Sequence, residues 1–158
     1  MSTDLRIPLV VRIPPPLLFV VTFFAGLGLQ RLVPLDVPVS VASVSRPIGI
    51  GLVICGALLA LSSIGMFLVG RTTIIPHASA SRLMTRGPYR WTRNPMYVSL
   101  VLVYVGVVGV LAQPWPLLLL PLPVALVNAI VIPVEEARLR EIFGDAFQQY
   151  CARVRRWI

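Results

Sequence analysis

The chain has 158 residues, of which 57% are hydrophobic, and a formal net charge of +8. A soluble domain of this size cannot bury that much apolar surface, so the composition excludes an ordinary soluble protein and favours an integral membrane protein. All fourteen basic residues are arginines, and most stand at the ends of apolar runs. This placement argues for a lipid bilayer as the partner and against a nucleic acid.

Four long apolar runs predict an all-α integral membrane protein with about four transmembrane helices and a C-terminal amphipathic helix. The runs cover residues 14–30, 47–70, 97–112 and 115–134. A hydrocarbon core of ~30 Å needs about 20 residues per helix, so the first and third runs need flanking residues to cross. No small-residue cleavage site follows the first run, and we interpret this run as an uncleaved anchor.

The arginines are distributed unevenly about these four runs. Two precede the first run, five lie between the second and third, and five follow the fourth, while only Arg31 and Arg46 fall on the other side. This is the positive-inside pattern, which places both termini and the central loop in the cytoplasm. We therefore expect a multi-pass protein of a bacterial inner membrane.

The chain forms a single membrane domain with two parts. Residues 1–70 are expected to form an N-terminal transmembrane hairpin with few polar side chains. Residues 71–158 carry a polar loop, a second transmembrane hairpin and a cytoplasmic tail helix. Gly144 weakens the tail helix, and Asp145 can cap a second segment. Helical spacing places one apolar face on the tail, formed by Leu139, Phe143, Phe147, Tyr150 and Val154.

The second hairpin returns two carboxylates to the level of the polar loop. The third run leaves the cytoplasmic boundary at Tyr97, and the turn at Gln113 and Pro114 reverses the chain. The fourth run then ends just before Glu135 and Glu136. These carboxylates should therefore face residues 86–99, which read "RGPYRWTRNPMYVS".

Two adjacent carboxylates at a membrane boundary are costly unless they are paired or solvated. Helical neighbours point about 100° apart, so we expect one to hold an arginine, Arg93 or Arg90, and the other to face a cationic ligand group. We assign the ligand contact to Glu136. Pro133 lacks a backbone donor and can kink the helix beside this site.

The loop itself offers a stiff frame for a small planar ligand. Gly87 allows a sharp bend, and Pro88 and Pro95 restrict the backbone. Ring faces for stacking are offered by Tyr89, Trp91 and Tyr97, although Trp91 taken alone fits an aromatic belt at the membrane interface better.

The order of these motifs resembles the isoprenylcysteine carboxyl methyltransferase family and its phospholipid methyltransferase relatives. The resemblance covers residues from about 72 to 157. It rests on a G-x-Y turn, an R-N-P-x-Y element, a hairpin, an E-E-x-x-L element, an F-G-x-x-F-x-x-Y element and a basic ending. The matching residues are Gly87, Tyr89, Arg93, Asn94, Pro95, Tyr97, Glu135, Glu136, Leu139, Phe143, Gly144, Phe147, Tyr150, Val154 and Arg155. Asn94 stands where the eukaryotic enzymes have histidine.

The resemblance implies an integral membrane methyltransferase that uses S-adenosyl-L-methionine and a lipophilic, prenylated or lipid acceptor from the bilayer. The residues expected to bind the cofactor are Gly87, Pro88, Tyr89, Arg93, Asn94, Pro95, Tyr97, Glu135 and Glu136. The residues expected to act in catalysis are Arg93, Glu135, Glu136 and Arg155, with Arg156 beside it if the tail folds back.

The acceptor group is left open by the sequence. A carboxylate acceptor needs only a positioning arginine, whereas an amine must lose a proton, for which Glu135 or Glu136 is the candidate base and His77 a weaker one. No metal site is expected, because the chain has a single histidine and two separated cysteines. Two alternatives are a non-catalytic membrane subunit with the same fold and an NADPH-binding protein resembling membrane sterol reductases.

Overall fold

A computed structural model describes residues 13–69 and 83–158, and the elements found there are helical, as predicted. The boundary that we expected at residue 70 lies outside the described residues, as do Arg6, Arg12 and His77. The elements are α1 Pro15–Leu32, α2 Val39–Val69, a 3₁₀ turn Gly87–Arg90, α3 Pro95–Leu111, α4 Pro114–Leu119, α5 Pro121–Leu126, a π-helical turn Val127–Val131 and α6 Ile132–Arg153.

Three helical stretches of the described chain are long and apolar enough to cross a membrane. They lie in Pro15–Leu32, in Val39–Met66 and within the nearly continuous rod Pro114–Arg153 that α4, α5, the π-helical turn and α6 form. The helix α3 is also apolar but has only 17 residues. The multi-pass helical class is thus confirmed, while the count of four spans stays a prediction.

The second hairpin reverses where the sequence predicts. The helix α3 ends at Leu111, and the following Ala112 adopts a left-handed conformation with φ of 52°. Extended Gln113 follows, and Pro114 opens α4. A proline fits the first turn of a helix because its fixed φ is helical and the missing N–H would have no partner there.

Glycines let α2 and α3 pack with their backbones nearly in contact. A Cβ atom on Gly49 would lie 2.5 Å from the carbonyl oxygen of Gly106, and one on Gly56 would lie 3.0 Å from that of Ser99. The hydroxyl of Ser45 donates a hydrogen bond of 3.0 Å to the carbonyl of Gly109. Small residues at a membrane helix interface allow this close approach, which fixes α3 against α2.

The helix α1 packs against the other side of the hairpin. A Cβ atom on Gly26 would lie 2.6 Å from the Cα atom of Pro116, so α1 and α4 are in direct contact. Phe19 packs edge-on against Tyr104 with ring centroids 6.2 Å apart, and the Tyr104 hydroxyl donates to the carbonyl of Pro116 at 2.8 Å. These contacts hold the two arms of the hairpin in register.

Two interruptions shape the rod that runs from α4 to α6. The π-helical turn Val127–Val131 ends two positions before Pro133, whose ring nitrogen cannot donate a helical hydrogen bond. Further on, Gly144 leaves the helical conformation, with φ of 49° and ψ of −124°, so α6 consists of two helical segments. The helix thus divides at Gly144, the residue that the sequence identifies as its weak point.

The second segment of α6 folds its apolar face back onto the first. Phe147, Tyr150 and Val154 are buried together, and Leu139 and Phe143 pack against them. The predicted apolar face is thus confirmed, and its burial carries the chain end toward the loop of residues 86–94.

Candidate functional site

The start of α3 meets the start of α6. The buried Tyr97 donates its hydroxyl hydrogen to Oε1 of Glu135 at 2.7 Å. Glu135 itself is half-buried. The hairpin geometry that places the loop and the carboxylates together is therefore confirmed.

Glu136 is a buried carboxylate with two arginine partners. Arg156 binds it through two hydrogen bonds, from Nε to Oε1 at 3.1 Å and from Nη2 to Oε2 at 2.7 Å. Arg93 approaches from the loop, with Nη1 3.3 Å from Oε1. The hydrogen bonds to Glu136 raise the pKa of Arg156, so this guanidinium stays charged. Such two-point binding offsets the cost of burying the Glu136 charge.

The two glutamates therefore have different environments. Glu136 has guanidinium partners, whereas Glu135 has a phenol hydroxyl as its hydrogen-bond partner among the described residues. One glutamate holds arginines, as expected. The arginines are held by Glu136, the residue to which the sequence analysis assigns the ligand contact, and Glu135 has no arginine partner among the described residues.

The chain end docks on the loop mainly through backbone carbonyls. The Arg93 amide donates to the carbonyl of Arg155 at 2.9 Å. The carbonyl of Arg156 accepts from the Thr92 hydroxyl at 3.1 Å and from Nδ2 of Asn94 at 2.9 Å. The tail thus folds back over the loop, with the Arg155 side chain exposed and that of Arg156 reaching inward.

The 3₁₀ turn presents Tyr89 to the same region. Gly87 begins the turn with φ of 59°, a conformation that favours glycine, and Pro88 follows it. The carbonyl of buried Tyr89 accepts the Tyr150 hydroxyl at 2.7 Å. Burial, together with the nearby Tyr150 and Glu135, raises the pKa of Tyr89, so its phenol stays protonated.

Arg93 has one buried polar atom without a partner among the described residues. Its Nη1 contacts Sγ of Cys151 at 2.6 Å in addition to Glu136. Its Nε is buried and has no hydrogen-bond partner within the described part of the chain. A buried donor without an acceptor costs about 1–3 kcal/mol, so an acceptor atom of a ligand would be stabilised there.

Several residues of this region were not predicted from the sequence. Thr92 donates to the backbone carbonyl of Arg156, and Cys151 contacts the guanidinium of Arg93. Neither residue belongs to a sequence pattern that would have indicated this contact. Asn128 accepts a hydrogen bond from Nε1 of Trp157 at 3.0 Å. It did have a signal, because it is the one amide or charged side chain in the apolar run 115–134.

The fold and the site define a helical membrane protein with a carboxylate and arginine cluster at one end of its second hairpin. A family model described as phospholipid methyltransferase matches residues 44–146, which is more than half of the chain. The chain belongs to the phospholipid methyltransferase family and is a membrane methyltransferase by that relationship. The family resemblance read from the sequence is thereby confirmed. No curated protein and no solved structure matches the chain.

Proposed function

We propose that the protein transfers a methyl group from S-adenosyl-L-methionine to a lipophilic acceptor that reaches the site from the bilayer. The observation that carries this proposal is the half-buried Glu135, which accepts the Tyr97 hydroxyl and is the neighbour of the Glu136 that binds Arg93, within the matched family region. A half-buried carboxylate and a guanidinium donor that lacks an acceptor among the described residues suit a ligand with both cationic and anionic groups.

The residues fit the methyl donor group by group. Glu135 would attract its cationic sulfonium and amino groups, and Nε of Arg93 would donate to its carboxylate. Tyr89 and Tyr97 supply aromatic surface for the adenine ring. The remaining residues of the proposed cofactor site support these groups. Glu136 binds the guanidinium of Arg93, and the loop is shaped by Gly87, Pro88, Asn94 and Pro95.

Bound S-adenosyl-L-methionine supplies a methyl group that is already activated by the adjacent sulfonium. The protein then has to align the acceptor with that methyl carbon and exclude bulk water. If the acceptor is an amine, Glu135 takes its proton. If the acceptor is a carboxylate, an arginine positions it, and we propose Arg155 or Arg156 of the tail for this role.

The orientation of the site follows from the charge distribution. The loop and the tail hold ten of the fourteen arginines, so we propose that this end of the hairpin faces the cytoplasm, where the methyl donor is soluble. The acceptor would enter laterally, from the lipid that surrounds the apolar helices.

Calorimetry with S-adenosylhomocysteine tests the proposal on the whole protein in lipid nanodiscs, with NADPH titrated in parallel. We expect the wild type and Arg140→Gln to bind S-adenosylhomocysteine equally, because Arg140 is exposed and has no hydrogen bond or ion pair among the described residues. Glu135→Gln should bind it more weakly. Binding of NADPH alone would favour a reductase-like protein, and binding of neither would favour a non-catalytic subunit.

A further inference from the structure

Asn128 is a polar side chain at membrane depth that the proposed methyl transfer does not use. It lies in the π-helical turn Val127–Val131 and is half-buried. Polar residues within membrane helices are costly, and π-helical turns are frequent at functional sites. These two independent features point to a binding role for Asn128.

The contact with Trp157 fixes which way the amide of Asn128 points. An indole nitrogen can only donate a hydrogen bond, so the oxygen Oδ1 must face Nε1 of Trp157. The amide nitrogen Nδ2 then points elsewhere. In the described part of the chain Nδ2 has no acceptor, and it is not fully buried. Nδ2 is therefore left with a hydrogen atom to donate and is not fully enclosed by the described residues.

The position of Asn128 suits the middle of an amphiphile rather than its polar end. Seven residues separate it from Glu135, which corresponds to about 10 Å along a helix. Consecutive tail residues contact the rod at both levels, because Arg156 binds Glu136 and Trp157 binds Asn128. Asn128 and Glu136 therefore lie on the side of the rod that the tail covers, and Glu135 lies at the same height along the rod as Glu136.

We propose that Nδ2 of Asn128 donates a hydrogen bond to the carbonyl oxygen of an acyl-linked lipid whose polar end reaches Glu135. In such a lipid, the carbonyl that joins the chains to the polar end lies on the bilayer side of that end. An N–H group in apolar surroundings gains from such an acceptor. Trp157 holds the amide in the binding orientation. The role of the polar end rests on the proposed methyl transfer, but the hydrogen bond itself does not.

The chain has only two asparagines, Asn94 and Asn128, which makes a direct test possible. Selective ¹⁵N labelling of asparagine gives two side-chain amide signals by NMR in dodecyl maltoside, a detergent without carbonyl groups. Asn128→Leu assigns them by the loss of one signal, and Asn94→Ala gives the same assignment if the first variant does not fold. The probes are a diester phosphatidylethanolamine and its diether analogue with the same head group and chains.

We expect the diester lipid to shift the Asn128 amide saturably and the diether analogue to leave it unchanged. Asn94 should respond to neither probe, because its Nδ2 is bound to the carbonyl of Arg156. Trp157→Phe should weaken binding of the diester about fivefold, which is the effect of losing one neutral hydrogen bond.

Two results would overturn the inference: no shift of Asn128 with the diester, or an equal shift with the diether. Calorimetry with S-adenosylhomocysteine on the same sample separates the two proposals. A sample that shows the diester-specific shift but no S-adenosylhomocysteine binding would refute methyl transfer and retain the role of Asn128.

Discussion

At the scale of residues, the two adjacent glutamates should respond differently to the same substitution. Glu136→Gln removes a buried charge that binds Arg156 and Arg93 and leaves two guanidinium groups facing each other. Breaking a buried pair costs about 3–5 kcal/mol, and we expect about 3 kcal/mol because the Arg156 side chain is 34% exposed. A thermal melt without ligand measures this loss. An unchanged melting temperature would mean that the arginine contacts do not stabilise the fold.

Glu135→Gln should leave the fold intact and weaken the ligand. The amide oxygen of the glutamine can still accept the hydrogen bond from Tyr97, so the local packing is kept. The lost charge should lower affinity for S-adenosylhomocysteine by about 1.5–3 kcal/mol, the usual contribution of a charged hydrogen bond. The melting temperature without ligand should match wild type, while ligand-induced stabilisation should shrink. Full stabilisation by ligand in this variant would remove Glu135 from the site.

The sequence predicts that these residues meet, but not which glutamate takes which role. The length of the hairpin arms brings Glu135 and Glu136 to the level of Tyr97 by simple helical rise. Their rotation depends on the π-helical turn Val127–Val131, which changes the angle per residue. No residue pattern in the run marks that turn beyond Asn128 and the later Pro133, so the roles could not be assigned in advance.

At the scale of elements, the break at Gly144 sets how the tail reaches the site. A Cβ atom at Gly144 would meet nothing within 4 Å, so a substitution there causes no steric clash. The strain lies in the backbone, because φ of 49° with ψ of −124° is open almost only to glycine. Gly144→Ala should therefore destabilise the folded-back tail by about 1–3 kcal/mol. Hydrogen exchange of the Arg93 amide, which binds the carbonyl of Arg155, reports tail docking.

Gly51→Ala provides the matched control for this prediction. Gly51 lies in α2 with ordinary helical geometry, and a Cβ atom there would also meet nothing within 4 Å. Alanine should be neutral or stabilise the helix by about 0.5–1 kcal/mol. Equal protection of the Arg93 amide in the two variants would show that the conformation of Gly144 does not govern the tail.

Sequence patterns predict the positions of the helices better than the contacts that hold the tail against the loop. Apolar runs and the apolar face of the tail mark the elements, because burial in lipid or against a neighbour selects those side chains. The docking of the tail on Thr92, Arg93 and Asn94 uses the carbonyls of Arg155 and Arg156. Every residue has a carbonyl, so these contacts leave no mark in the sequence.

At the scale of the whole molecule, the arginine asymmetry predicts the membrane orientation. Arg31 and Arg46 flank the connection between α1 and α2, while the other arginines lie at the opposite ends of the apolar runs. Reporter fusions at Asp36 and Gln113 should therefore report the outer side. A fusion at Ser79, which lies in sequence between α2 and the 3₁₀ turn, should report the cytoplasm.

The fusion at Ser79 also tests whether the site has access to its proposed donor. The loop that follows Ser79 carries Arg93 and leads into α3, where Tyr97 lies, so the side that Ser79 occupies is the side on which the carboxylate cluster opens. If Ser79 and Asp36 report the same side, α2 does not cross the bilayer. If both Asp36 and Gln113 report the cytoplasm and Ser79 does not, the chain is inverted. A soluble cytoplasmic methyl donor could then not reach Glu135, and the charge asymmetry would need an explanation other than membrane orientation.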